Sequence, residues 1–295
     1  MSRRLELSIS PELEGSKVDT ILKKHLGLSG TVVRRIKWWP DGILLDGQRV
    51  QTDARPQVGQ LLSVRLDDLE RRSGIVPAPG PLDLVYEDED LIVVNKAPGV
   101  PVHPGPGHYN DTLGNFLLWH YDLEGDSADF HPVHRLDRGT SGLLVVAKHP
   151  YGQEKLKSQL HTGAFRRIYL AVCDGTPYPA QGVIDAPIGR APGSLLARRV
   201  DPEGQSARTR YRVVCTCGPR SLVELQLDTG RTHQIRVHMA HMGCPLTGDF
   251  LYGREAPALI TRPALHSARL ELTHPITRAR LEFTAPLPED MKVLL

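Results

Sequence analysis

Paired strand-forming runs recur along this chain, and they constrain its fold more than any other feature. Residues 43–50, ILLDGQRV, turn on Asp46-Gly47, a strong hairpin signal because both turn positions need positive φ. Residues 83–96, DLVYEDEDLIVVNK, read as two strands around an acidic turn, and 211–230 read as YRVVCTC paired with SLVELQLDTG. Residues 268–286, ARLELTHPITRARLEFTAP, fold back at His274-Pro275. LLSVRL, LLVVAK and RIYLAV add further strands. Helical spacing appears over 16–28, where Val18, Ile21, Leu22 and Leu26 recur with Gly27 as a stop, and from Ser29 or Thr31 to Pro40. It returns over YGQEKLKSQLH and HQIRVHMAHMG. Hairpins this frequent exclude a purely parallel sheet. The expected fold is α+β, a mixed, largely antiparallel sheet with flanking helices, plus a small α/β unit of two helices and a hairpin at residues 1–70. The Pro/Gly-rich RRSGIVPAPGP at 71–81 reads as a linker, leaving 82–295 as the larger domain.

The 295 residues suffice for a full core, and a formal net charge of +2 does not by itself announce a nucleic-acid binder. Local charge says more. Lys23, Lys24, Arg34, Arg35 and Lys37 cluster early, the last three on the exposed side of the second helix, and six arginines lie between 190 and 212. Taken alone, each cluster is a solvated face. Arg208 and Arg210 are expected to face alternate sides of a strand. The cysteines Cys173, Cys215, Cys217 and Cys244 form no C-x-x-C pair, which fits reduced thiols. The opening MSRRLELSIS lacks the apolar core of a signal peptide, and no run approaches a membrane span. A soluble, cytoplasmic protein is expected.

The chemistry-bearing stretch is HRLDRGTSG at 134–142, set directly before the apolar LLVVAK. A lone Asp in a turn is ordinarily a cap. At the mouth of a buried strand, however, Asp137 is partly desolvated and needs a cation to stay ionised and oriented, as a nucleophile or general base must. A triad of Ser141, His134 and Asp137 is too close in sequence for triad geometry, and Ser141 has no G-x-S-x-G elbow. In DTGRTHQIRVHMAH, Arg231 and Arg236 lie five apart and do not share a helix face, so one can enter a cleft while the other meets solvent or phosphate. His233, His238 and His241 lack an H-E-x-x-H motif and a nearby acid, which favours a phosphate-facing helix or packed histidines over zinc. No nucleotide-binding glycine motif follows Gly105-Pro106-Gly107.

Together, DLVYEDEDLIVVNKAPGVPVHPG, HRLDRGTSGLLVVAK, FRRIYLAVCDG, ARTRYRVV, LDTGRTHQIRVHMAHMGCPLTGDFLYG and LHSARLELTHPITRARLEFTAPLPEDM resemble, in order, the pseudouridine synthases of the large-subunit rRNA and tRNA class. The resemblance spans residues 82–291. The N-terminal unit is similar to the small RNA-binding domain of the "S four" type, with Lys17-Val18-Asp19 where that domain usually has Arg-Leu-Asp. The resemblance implies a redox-neutral isomerisation with no cofactor and no metal: uridine's C1′–N1 bond breaks, the uracil turns, and C5 joins C1′. Asp137 matches the catalytic aspartate, Tyr169 the aromatic against the target uracil, and Arg236 the basic partner of the aspartate. Arg135 matches an arginine that enters the gap left by a flipped nucleotide. Arg231, His134, Arg34, Arg35 and Lys37 complete the expected RNA-contacting set. The implied partner is RNA, ribosomal RNA first and tRNA as the alternative, bound by a monomer. A non-catalytic RNA-binding or ribosome-assembly factor is the rival class.

Overall fold

In the computed structural model the described residues are 3–160 and 162–295; His161, the expected end of one helix, lies outside them. The N-terminal unit begins with a strand that sequence periodicity did not single out, β1 (Arg4–Ser8). It continues through α1 (Val18–Thr20), which runs directly into a π-helical turn over Ile21–His25, and α2 (Gly30–Ile36). Ser29 caps α2 by accepting the Val32 N–H, and Gly27, at φ +66°, ends the preceding turn as expected. β2 (Ile43–Leu45), β3 (Gln48–Arg49) and β4 (Leu61–Arg65) complete a four-stranded sheet in the order β1-β4-β2-β3. Asp46 and Gly47 both take positive φ, as the hairpin demands. Val18, Ile21, Leu22, Val32, Val33 and Ile36 pack with the sheet into a core that Tyr151 of the larger part also joins.

The larger part is built on β5 (Leu84–Glu87), β6 (Leu91–Lys96), α3 (Leu113–Leu123), β7 (His131–Pro132), β8 (Ser141–Ala147) and α4 (Pro150–Gln159). There follow β9 (Arg166–Asp174), β10 (Gln181–Asp185), β11 (Ile188–Arg190), β12 (Arg198–Val200), β13 (Arg208–Cys217) and β14 (Arg220–Leu227). α5 (Gln234–His241), β15 (Leu265–Thr273), β16 (Arg280–Thr284) and α6 (Glu289–Lys292) close the chain. Ten strands form one sheet whose main path runs β10-β13-β14-β9-β15-β8-β6-β5. Among the described residues its only parallel contact is β8 with β15, so the sheet is largely antiparallel and the fold class is α+β.

Two expectations need correction, and one helix was not foreseen. The segment 71–81 has no regular structure, but it is a strap and not a free linker. Backbone N–H groups of Arg72 and Ser73 donate to Asp129, Ala78 N–H donates to Asn115 O, and Gly80 lies flat against Phe116, where a Cβ would come within 2.2 Å of the ring. That strap covers α3, whose seven buried residues of eleven surround the helix and leave no polar face to reveal it in sequence. Finally, Arg208, Arg210 and Arg212 are all exposed on one face of β13, because residues two apart in a strand point the same way. Asp228 and Glu224 on the neighbouring strand pair with them.

Two charged clusters join the N-terminal unit to the rest. Asp90, almost fully buried, accepts from Arg3 Nε and Nη2 at 2.7 and 2.8 Å and bonds His149 Nε2 at 3.0 Å. Burial alone would push its carboxyl up; the hydrogen bonds of His149 and Arg3 prevail and hold it well below the usual carboxylate range. At the other junction Arg35 pairs with buried Asp68, which also bonds His131. Both clusters have metal-ligand residue types, yet arginine and histidine already occupy their carboxylates. Among the described residues no helix is long and apolar enough to cross a membrane.

Candidate active site

The site forms where β8 enters the sheet. All seven residues of β8 are buried, so the chain before it must turn sharply out of the core. Gly142 makes that turn possible. Its φ is +105°, and a Cβ there would lie 2.3 Å from Ser267 O on β15, which a side chain cannot do. Ser141 is buried with its Oγ 2.9 Å from His266 Nδ1, and so serves architecture, not nucleophilic attack.

Upstream, the Asp137–Thr140 turn is closed by Thr140 N–H donating to Asp137 O at 3.0 Å. It is anchored from three sides. Gly99 N–H donates to Arg138 O, Lys96 Nζ donates to the same oxygen, and Arg262 Nη1 donates to Gly139 O. Lys96 is buried with carbonyl partners only; burial pushes its amine down to about 7, aided by Arg262 and opposed by Asp137. The result is a rigid backbone cradle that leaves the Asp137 carboxylate free to point outward.

That carboxylate faces the start of α5. Gln234, at the first position of α5, locks the preceding loop with its whole amide. Its oxygen accepts from Thr229 Oγ1 and Arg231 N–H, and its nitrogen donates to Arg208 O and Thr209 Oγ1. His233 caps the helix at φ +58°, a left-handed conformation rare for a residue with a Cβ. This places His233 Nε2 3.9 Å and Arg236 Nη1 4.0 Å from Asp137 Oδ2. Arg236 is not primarily the partner of Asp137. Its Nε and Nη2 fork onto Asp249 at 2.7 Å each, and Asp249 is fully buried. Burial opposes the guanidinium's charge, but Asp249 outweighs it and holds Arg236 above its ordinary value. Among the described residues no side chain donates to Asp137 at normal hydrogen-bond length, so its oxygens are available to a substrate.

The cavity in front of Asp137 encloses about 290 Å³. Six residues singled out in sequence line it together: His134, Arg135, Asp137, Tyr169, Arg231 and Arg236. Tyr169 is buried on β9 between Leu225 and Ser267, and burial raises its phenol, with Arg167 opposing and Asp137 assisting. Arg135 and Arg231 are exposed at the rim. His134, expected among the RNA contacts, lines the cavity as an uncharged group. It is buried with its ring edge toward Phe165, and burial, reinforced by Arg167, pushes it down to about 3. It is a neutral wall of the cavity.

Arg34, Arg35 and Lys37 are not part of this site. Arg34 and Arg35 line a separate cleft of about 870 Å³ where the N-terminal unit meets the strap. Arg35 is committed to Asp68 and is corrected to a structural role, while Arg34 is exposed. Lys37 Nζ lies 4.8 Å over the ring of Trp38, itself 69% exposed. Sequence reasoning weighed His233 only as a metal ligand or packed histidine, and passed over Trp38, Arg167, Asp249 and Tyr252. The last two lie in GDFLYG, a stretch whose glycines and aromatics announce a turn and nothing about an arginine 13 residues earlier. His238, weighed as a metal ligand, is a packed histidine bonded to Thr209 Oγ1 and Ala186 O.

Comparison with known proteins agrees with this geometry. Residues 90–241 match the family described as RNA pseudouridylate synthase. The uncharacterized RNA pseudouridine synthase YjbO of Bacillus subtilis is 41% identical over 92% of this chain and 95% of its own length. Ribosomal large subunit pseudouridine synthase D of Escherichia coli O157:H7 is 39% identical over 100% of this chain and 95% of its own. The solved structure of human RNA pseudouridylate synthase domain containing 4 superposes with a TM-score of 0.58 at 27% identity, covering 71% of this chain and 90% of that one. The chain belongs to the RNA pseudouridylate synthase family and is an RNA pseudouridine synthase.

Proposed function

We propose that the enzyme isomerises specific uridines of large-subunit ribosomal RNA, with Asp137 as the catalytic carboxylate. The observation that carries the catalytic assignment is an Asp137 carboxylate with Arg236 and His233 beside it but, among the described residues, no side-chain hydrogen-bond donor, at the mouth of a cavity whose volume, about 290 Å³, suits one extruded nucleotide. The choice of RNA rests on relatives such as the large-subunit synthase of Escherichia coli.

In this reading the target uridine leaves its stack and its base enters the cavity, while exposed Arg135 occupies the vacated space in the RNA. Asp137 acts on the ribose, either by attack at C1′ or by removing a sugar proton to form a glycal; both routes break C1′–N1. The detached uracil turns between the apolar walls and the Tyr169 ring, C5 joins C1′, and the proton lost from C5 is balanced by one gained at N1. The raised phenol of Tyr169 keeps its ring neutral, which favours a packing role over that of a base. Arg236 and His233 border the carboxylate and orient it without capturing it.

Residues 1–70 act as a second RNA grip of the S four type, with 71–81 as the strap and 82–295 as the catalytic domain. Support comes from the hydrophobic core centred on the first unit and from Arg34, Lys37 and exposed Trp38 on its surface. An exposed indole beside cations suits base stacking and phosphate contact.

The test is Asp137→Asn in the chromosomal gene, followed by pseudouridine mapping of total RNA. The expected result is loss of pseudouridine at one or a few large-subunit rRNA positions. Loss confined to tRNA would redirect the substrate assignment; an unchanged map would remove Asp137 from the mechanism and favour an assembly factor.

A further inference from the structure

Beside the catalytic cavity lies a second, more open cleft of about 440 Å³, and the two share Gly230, Arg231 and Thr232. One wall is the two-stranded ribbon of β11 and β12, in which Arg190 stands directly opposite Arg198. Like charges facing each other across a ribbon repel and are destabilising. Elsewhere on this surface arginines are neutralised: Arg199 pairs with Asp201, Arg210 with Asp228 and Arg212 with Glu224. Arg190, Arg198 and Arg231 have no such carboxylate among the described residues. Arg198 Nη1 reaches only the carbonyls of Leu196 and Ala197, and Arg231 Nε only that of Ser206. Glu203 is the one acid lining the cleft, and it is exposed.

The floor is made of closely opposed backbone. A Cβ on Gly204 would lie 2.4 Å from the Ile188 carbonyl carbon, and one on Gly189 would lie 2.9 Å from Asp201 Cβ. The ribbon is fixed toward the catalytic side as well, since Arg198 N–H donates to Tyr252 Oη at 2.8 Å.

We propose that this cleft seats the phosphodiester flanking the target uridine, with Arg190, Arg198 and Arg231 as its ligands. The proposal rests on the assignment of Asp137's cavity to the flipped nucleotide. A strand whose base enters that cavity must carry its backbone across the shared Gly230–Thr232 segment. Three guanidinium groups without counterions there offer an oxyanion charge-assisted, fork-shaped hydrogen bonds. The bound phosphate also relieves the repulsion between Arg190 and Arg198, so an energetic defect of the free enzyme becomes affinity for substrate.

The test uses the intact enzyme and an RNA fragment carrying the mapped target uridine. Neutral methylphosphonate linkages are placed singly at the positions within two nucleotides of the target, and binding is measured for the wild type and for R190Q/R198Q. The wild type is expected to lose about tenfold in affinity at one linkage, comparable to a lost charge-assisted contact. The double variant should already bind unmodified RNA about tenfold more weakly, lose nothing further at that linkage, and place its loss on KM with little change in kcat. Its salt dependence should also fall, by about 0.7 in log–log slope per lost contact. Undiminished binding by a correctly folded double variant, or equal further loss at every linkage, overturns the proposal. Arg231→Gln supplies a second variant outside the ribbon. If the target maps to tRNA and not ribosomal RNA, the substrate assignment fails, and the same scan on that tRNA still decides the cleft.

Discussion

Arg236 carries two carboxylates of different kind on one guanidinium. Asp249 takes its Nε and Nη2 edge at 2.7 Å and is fully buried, whereas Asp137 meets only Nη1, at 4.0 Å, with its side chain 21% exposed. The inner pair is structural: Asp249 also accepts the N–H groups of Leu251 and Tyr252, so one carboxylate shapes the whole turn. Asp249→Ala is therefore expected to destabilise the fold by about 3–5 kcal/mol, the usual cost of stranding a buried charge. Asp137→Ala should cost about 1 kcal/mol or less in stability while abolishing turnover. Urea unfolding of both variants beside an assay of tritium released from C5-labelled uridine in the RNA separates them; equal destabilisation would place Asp137 in the structural network. Sequence made Asp137 and Arg236 visible because each stands in a run of charged residues next to apolar ones. It could not reveal that a third residue divides the arginine, since Asp249 has no local feature that sets it apart from any Asx turn.

At the scale of elements, the decisive piece is the N-terminus of α5. The left-handed His233 and the Gln234 lock turn this loop back so that His233 and Arg236 share one side despite differing by three positions across a helix boundary. Tyr252 Oη receives the Arg198 N–H and lies 2.7 Å from His233 Nδ1. The backbone N–H can only donate, so Tyr252 Oη accepts from Arg198, and its own proton can go to Nδ1, an arrangement in which His233 carries its proton on Nε2, toward Asp137. His233 is pushed down, chiefly by burial, with Asp137 and Asp249 opposing and Arg236 and Arg198 assisting, so it stays neutral at physiological pH. Tyr252→Phe frees the imidazole without disturbing the apolar packing of the ring. It is expected to lower kcat by roughly tenfold to a hundredfold, the scale of a misplaced catalytic group, with KM within twofold. A loss confined to KM across an RNA titration, with the rate at saturating RNA unchanged, would show that Tyr252 serves only the ribbon. Helix α5 was legible from its apolar spacing; its functional start was not, because a histidine at positive φ is a departure from local preference that only the packed loop enforces.

In the whole molecule, the N-terminal unit and the ten-stranded sheet are clamped together by buried charged contacts, and the proposed outer RNA grip lies on the former. Hairpins and apolar runs were enough to separate the N-terminal unit from the ten-stranded sheet, because each rests on local turn chemistry and period-two burial. The clamp was invisible for the opposite reason: Arg3–Asp90 and Asp68–His131 are 87 and 63 positions apart and have no periodic trace. This distinction governs how the outer grip should be tested. Deleting residues 1–70 would strip Arg3 from buried Asp90, remove Asp68 from His131, and expose Tyr151, which packs into the N-terminal core, so weakened RNA binding could not be told from a damaged catalytic domain. Reversing charge on the intact surface avoids this. Arg34 is exposed, and Lys37 rests on exposed Trp38 outside both clamps, so Arg34→Glu with Lys37→Glu leaves the fold's melting temperature within a few degrees. The expected outcome is an affinity for substrate RNA about tenfold or more weaker at low salt, with the gap closing as salt rises, because only phosphate attraction has been changed. Conversion of saturating RNA should proceed at the wild-type rate. A double reversal that leaves RNA affinity unchanged would mean that the N-terminal unit serves something other than substrate, and that the catalytic domain alone holds the RNA.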